Sequence, residues 1–426
     1  MSAPPRARLR QSIGFGLFQQ ASNYLVPVLV FPLITPILGV HGMGLYAMMI
    51  AGGQIIAVFC EYGFSQAALA LAGHHPYDIK LRSQLAQSIL KLKIFIFLPV
   101  AILVSLGLIL LTPVGWLGAL SAVILGLCTL FQHEWVFYAA ESLRSYAWWT
   151  VLTRWLILPV TWISLYFFPT ASTAALSYAC CYALWSIGAW AMARYIGLIN
   201  RTNEKNEAQE KLLIQHGWSI FIQSISYNLT LVSAPLIMGA ILGPAASGLY
   251  IAAERIKNAA LAISSPLTTL FLSRLSSKRS DLNAFRIELK RGLYLQLGLG
   301  VIAAIGMTLF AKVIILLLFG EAFAPAIHYL QAFAVLPIMA ALVNVFGTQF
   351  LVSTHHGKYC AIIMFCSLVI HLILFPLAVI LWGIWGGICS VILVEFFIFC
   401  TSMLVFNHVS HQFFNARTGS VSNAES

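Results

Sequence analysis

Charge is what this 426-residue chain has least of: Asp, Glu, Lys and Arg make up 9% of it, against 60% hydrophobic residues. Soluble domains carry about a quarter charged residues, so the composition excludes a soluble globular protein and implies an integral membrane one. A phosphate-cradling G-x-x-x-x-G-K-[ST] loop is missing, and no polar stretch is long enough to fold as a nucleotide-binding domain, which excludes ATP hydrolysis by that route. Neither G-x-S-x-G nor H-E-x-x-H occurs, and the turns hold no paired carboxylates for hydrolytic or transfer chemistry. The chain therefore does not read as an enzyme. Its eight cysteines lie inside apolar segments, without Cys-x-x-Cys and without His/Cys groups at metal-ligand spacing. They read as small packing residues, and no metal or cofactor is expected. The net charge of +11 does not indicate nucleic acid, because the basic residues are scattered through short turns instead of covering one soluble face.

What is present is length in the apolar runs and repetition between them. Without a gap and at an offset of 204, Gln11 to Tyr46 reappears as Gln215 to Tyr250. The identical pairs include Gln19/Gln223, Ser22/Ser226, Leu38/Leu242, Gly39/Gly243, Gly44/Gly248 and Tyr46/Tyr250. A long apolar helix and its Leu-Gly...Gly-Leu-Tyr exit turn thus occur twice. In a membrane protein such duplication points to two lobes around a shared central cavity, as in secondary transporters.

With about 20 apolar residues needed per crossing, the chain divides into twelve spans. They run over 12–37, 44–66, 90–112, 115–138, 147–168, 171–195, 217–242, 247–271, 292–318, 326–352, 359–381 and 384–407. Arg6, Arg8 and Arg10 precede the first, whose apolar run is too long for a cleaved signal peptide. Alternate turns are basic, including Lys80, Arg82, Lys91 and Lys93 after the second span and Arg274 to Arg291 after the eighth. The opposite turns, such as LGVHGM, TPVGW and LGPAAS, hold no Lys or Arg. By the positive-inside rule both termini are cytoplasmic. Six spans per half give a parallel repeat. The expected organisation is all-α: a six-helix lobe over 1–200, a polar cytoplasmic linker over 201–216, a second six-helix lobe over 217–407 and a disordered cytoplasmic tail over 408–426.

Charges within spans are costly and mark candidate sites. The eighth span holds Glu254, Arg255, Lys257 and Asn258, either a self-contained pair at i,i+3 or groups facing the cavity. With two cations to one anion, the cluster favours an anionic passenger. His371 and Glu395, at equal depth in the last two spans, are either a proton relay or a structural hydrogen bond between packed helices. Gln19 and Asn23 in the first span, with Gln223 and Asn228 in the seventh, offer hydrogen bonds to sugar hydroxyls or to neighbouring helices. Arg154 is expected to snorkel to the cytoplasm, and Glu61 and Glu134, near helix ends, to be solvated.

Several stretches together resemble the Wzx-type polysaccharide flippases, in the superfamily that also holds multidrug extruders and lipid II flippases. They are LGVHGMGLYA (38–47), EYGF (61–64), HEWVFYAAESLRSY (133–146), LGPAASGLYIAAERI (242–256), LFGEAF (318–323) and NVFGTQFLVSTHHGK (344–358). The resemblance covers nearly the whole chain. It implies two V-shaped lobes that open alternately to each face of a bacterial cytoplasmic membrane and move an undecaprenyl-pyrophosphate-linked oligosaccharide outward. A polysaccharide polymerase and a chain-length regulator are the protein partners it implies, beside membrane lipids. Arg255 falls where such proteins place a cationic cavity residue. The first span lacks the Arg and Asp of lipid II flippases, which shifts the pyrophosphate contact onto Arg255 and Lys257 or places it elsewhere in the chain. Rival readings are an ion-coupled multidrug exporter on the same fold, a membrane glycosyltransferase or polymerase, and a structural subunit.

Overall fold

The computed structural model describes the backbone of residues 5–73, 77–200 and 207–422; the side chains of 5–21, 23, 24, 207, 208, 219, 223 and 414–422 lie outside the description. Among the described residues there is helix and no strand, as expected where lipid cannot satisfy open backbone groups. The helices are α1 (Pro5–Glu61), α2 (Phe64–Ala72), α3 (Ile79–Leu111), α4 (Gly115–Leu127), α5 (Glu134–Ala139), α6 (Leu143–Phe167), α7 (Ala171–Tyr195), α8 (Glu207–Leu242), α9 (Pro244–Ala262), α10 (Ser265–Ser277), α11 (Leu282–Leu309), α12 (Ala311–Phe319), α13 (Ala326–Ala332), α14 (Leu336–Leu342), α15 (Leu351–Ser353) and α16 (Gly357–Ser422). A π-helical stretch, Val343–Phe350, joins α14 to α15.

Nine continuous stretches among the described residues are long and apolar enough to cross a bilayer. Two of these are double: α1 is broken at Gly39 and α16 at Trp382 and Gly383, where the backbone leaves helical geometry. The α9–α10 stretch is the remaining crossing, its apolar character diluted by Glu254, Arg255 and Lys257. The protein is thus an all-helical, multi-pass membrane protein whose spans agree with the twelve expected. Outward faces are apolar, as on α3, where Phe95, Leu103 and Leu110 are each more than two-thirds exposed; in a bilayer such surface meets lipid.

Two compact units emerge: Met1–Leu249 with Leu318–Ala322, and Tyr250–Leu317 with Phe323–Ser426. The two units meet inside α9, between Leu249 and Tyr250, so that α8 and the first turns of α9 group with the first unit. The reason is packing: α8 lies along α1, with Gly239 directly against Met48. Residues 207–216 belong to α8, anchored by buried Leu213 and by a Lys91–Glu210 ion pair at 2.8 Å. Leu318–Ala322 joins the first unit through Phe319, whose ring lies 5.2 Å from that of Phe31.

The sequence repeat has a backbone counterpart within the first unit. Gly39 and Gly243, equivalent at the 204 offset, take φ of 61° and 89° at their respective turns, conformations that cost other residues about 1–2 kcal/mol. Gly44 and Gly248 meet reciprocally. A Cβ on Gly44 would strike the Pro244 carbonyl, and one on Gly248 would strike the carbonyl of Val40, the equivalent of Pro244. Such an exchange of equivalent contacts is what a local two-fold relation produces. Elsewhere in this unit small residues bring helices close: Gly52 and Gly53 of α1 receive Leu108, Ala122 and Leu125, and Gly126 of α4 receives Ile56.

In the second unit α16 folds back along the π-helical stretch, and Phe285, Phe350, Phe406 and Phe413 form a ring cluster. This cluster and buried Val409 hold the start of the region expected to be a disordered tail. The helix instead runs on to Ser422.

Candidate functional site

In the second unit the charges converge on α9. Glu254 lies ten residues past Pro244, hence about 15 Å along the helix at 1.5 Å per residue. That is deeper than a start near Ser247 would place it. Glu254 and Lys257 are 3% and 4% exposed, and they face each other at 3.9 Å, the outer edge of ion-pair contact. The ammonium also lies 5.2 Å from the Phe333 ring centroid, where the ring quadrupole attracts a cation.

Pairing of Glu254 with Lys257 leaves Arg255 over. Its Nε is buried without a hydrogen-bond partner, and among the described residues no carboxylate is in ion-pair contact with it. An uncompensated charge at helix centre costs about 2.5–3.5 kcal/mol on insertion scales. The residue is half-buried, so its fork of donors remains within reach of a ligand. Asn258 is likewise half-buried, one position beyond Lys257 on the same helix.

His371 is fully buried and packs its ring 4.9 Å from Phe375. Phe375 and Phe333 both meet the ring of buried Tyr250 edge-on, at 6.0 and 6.1 Å. Lys257 lies close enough for its charge to act on both His371 and Glu395. Glu254, His371 and Glu395, which the sequence keeps apart, thus lie in the electrostatic neighbourhood of one buried ammonium.

The expected sugar-binding amides are a different case. The side chains of Gln19, Asn23 and Gln223 lie outside the described residues. Asn228 is described, and its Nδ2 donates to the Ser224 carbonyl at 2.8 Å and to Ser224 Oγ at 3.2 Å. Its donor is spent within its own helix, which leaves the amide oxygen as its recognition group.

Two charged arrangements in the first unit have no clear signal in the sequence. Lys93, expected in a basic loop, is 0% exposed because α3 begins at Ile79 and carries it into the packed interior. Its Nζ donates to Glu61 Oε2 at 2.6 Å and to the carbonyls of Thr129 and Gln132 at 3.0 and 3.2 Å. Glu61, with 31% of its side chain exposed, is thus the ion partner of a fully buried lysine as well as a partly solvated helix-end residue. Glu134 is exposed, in line with expectation, but also accepts a hydrogen bond from Tyr146 at 2.9 Å.

Arg154 does not snorkel. Its guanidinium carbon lies 4.3 Å from the ring centroid of Tyr182 and 4.7 Å from that of Trp185. Arg154 is 11 residues from the start of α6, while Tyr182 and Trp185 are 13 and 10 residues from the end of α7. The head group therefore stays level with its own backbone.

These features can be set beside known proteins. Over 380 residues the chain is 25% identical to a protein of Escherichia coli (strain K12) named "Putative O-antigen transporter", covering 87% of this chain and 90% of that one. Its fold is similar to that of lipid II flippase MurJ in an inward closed conformation, at 12% identity, over 93% of this chain and 87% of that one, with a TM-score of 0.73. An inward-facing multidrug resistance MATE family transporter of the MOP superfamily matches with a TM-score of 0.66, at 12% identity, over 95% of this chain and 96% of that one. The family described as polysaccharide biosynthesis protein matches residues 9–272, more than half of the 426, and the chain belongs to that family.

Proposed function

We propose that the protein is a flippase that carries a polyprenyl-pyrophosphate-linked oligosaccharide from the cytoplasmic to the periplasmic leaflet of a bacterial inner membrane, by alternating access. It catalyses no covalent step. Membership of a polysaccharide biosynthesis family and the likeness to a protein named for O-antigen transport support the substrate class. Basic alternate turns support cytoplasmic termini. A polysaccharide polymerase and a chain-length regulator are the proteins expected to act on the same substrate.

The observation that carries the reading is Arg255. A pyrophosphate leaving water needs a compensating charge, and charge-assisted hydrogen bonds are about twice as strong as neutral ones. A guanidinium without a carboxylate partner supplies that charge in a geometry that grips two oxygens at once. Lys257 and Glu254, with Asn258, are the neighbouring groups proposed to set the field around the phosphate, while Gln19, Asn23, Gln223 and Asn228 are proposed to meet the glycan. His371 and Glu395 are proposed to couple movement to protons, with Lys257 linking them to the phosphate-binding end of the site.

An exporter of amphiphilic drugs on the same fold is the nearest rival. Cationic drugs call for a carboxylate-rich site, whereas α9 carries two cations to one anion. In cells, Arg255→Ala should abolish surface polysaccharide and leave lipid-linked units on the inner leaflet, at near-normal protein level, with Arg255→Lys partly active. Full polysaccharide export by Arg255→Ala would remove the proposal.

A further inference from the structure

The first unit contains a second guanidinium of the same kind. Among its described interior charges, Lys93 is matched by Glu61 and the Arg82 Nε donates to the Leu198 carbonyl at 3.2 Å. Arg154 differs. Its Nε is buried without a hydrogen-bond partner, and no carboxylate is in ion-pair contact with it among the described residues. Glu134 feels its charge from further off and is held by the Tyr146 hydroxyl.

The setting of Arg154 is built. Tyr182 and Trp185 meet edge to face with centroids 5.0 Å apart, and Tyr178 lies 5.7 Å beyond Tyr182. The Trp185 indole N–H is fixed to Thr150 Oγ1 at 3.1 Å, so the platform cannot swing freely. The guanidinium rests on these rings with one face covered, while Nε on its edge has no acceptor. Such an edge, held flat and in place, matches the two oxygens of a phosphate or carboxylate.

We propose that Arg154, on its Tyr182/Trp185 platform, is an oxyanion-binding site in the first unit, separate from Arg255. This rests on the flippase reading, under which the oxyanion belongs to the passenger. It comes either from the carrier pyrophosphate or from an acidic sugar of the glycan.

The test is equilibrium binding to purified full-length protein in nanodiscs, with geranylgeranyl pyrophosphate as one probe and a glucuronate-containing trisaccharide, beside its neutral glucose counterpart, as the other. Arg154→Gln should weaken one of the two anionic probes by about 10- to 100-fold, the range for a lost charge-assisted contact. The probe that weakens identifies the source. Arg154→Lys should fall between, and Tyr182→Leu, which removes part of the platform, should weaken the same probe. These two variants decide the matter if Arg154→Gln does not fold. Unchanged binding of both anionic probes in the Arg154 variants, with loss of the pyrophosphate probe in Arg255→Gln, would overturn this site and leave the flippase reading intact. Indifference of both probes to both arginines, or no binding by the unaltered protein, would overturn both.

Discussion

Two lysine–glutamate pairs, one in each unit, show how differently the same two residue types can be used inside a membrane protein. In the first unit, Lys93 spends its three donors on Glu61 and two backbone carbonyls, all within 3.2 Å. In the second, Lys257 stands 3.9 Å from Glu254 and leans on a phenylalanine ring. The first pair is closed: every proton has an acceptor, and little would be gained by moving it. The second is loose, its charge is felt by His371 and Glu395, and beside it Arg255 has an Nε without an acceptor and, among the described residues, no carboxylate in ion-pair contact. A closed pair serves the fold. An open one has interaction capacity left for a passenger or a proton.

The largest effect should come from breaking the closed pair from one side. Glu61→Ala strands a fully buried ammonium, and loss of one partner from a buried pair typically costs about 3–5 kcal/mol. Denaturant unfolding of the purified protein in detergent should show a loss of that size. Replacing both partners, as Glu61→Leu with Lys93→Met, should recover at least half of it, because no unpaired charge remains. Equal losses in the single and double variants would mean that the carbonyl contacts, and not the ion pair, hold this corner together.

A smaller change in stability and a larger one in activity are expected at the open pair. Lys257→Met keeps the length of the side chain and its contact with Phe333. Paired with Glu254→Gln it leaves no unpaired ion behind, and the contact given up is only a 3.9 Å one, so the stability loss of the double variant should stay near 1 kcal/mol, while transport measured in cells falls severely. If Lys257→Met with Glu254→Gln instead destabilised the protein as much as Glu61→Ala does, the contrast between the two pairs would vanish.

Much of this was legible in the sequence because hydrophobic length and repetition report directly on membrane architecture. The twelve spans follow from runs that each stretch reveals by itself, and the equivalence of Gly39 with Gly243 from laying two stretches side by side. Lys93 and Arg154 were not legible, since their roles depend on partners far away in the chain. Glu61 is 32 residues from Lys93, and Tyr182 is 28 from Arg154. A helix start placed eleven residues late put Lys93 near a span's end, and one placed four residues late made Arg154 look close enough to snorkel. That α8 groups with the first unit was hidden for the same reason, because it depends on α8 packing against α1. At Glu254, Arg255 and Lys257 the sequence did point to a cluster of interior charges, because charges in an apolar helix are visible without knowing their neighbours.

The central claim is that Arg255, with no carboxylate in ion-pair contact among the described residues, carries the pyrophosphate of a lipid-linked glycan across the membrane. Its most direct test is translocation in proteoliposomes. Purified protein is reconstituted with a fluorescent oligosaccharide on undecaprenyl pyrophosphate, and the fraction reaching the opposite leaflet is read by quenching from outside. The unaltered protein should move the probe, Arg255→Lys should move it more slowly, and Arg255→Ala should leave it at the rate of empty vesicles while keeping its unfolding midpoint. Translocation by Arg255→Ala at the rate of the unaltered protein would contradict the account.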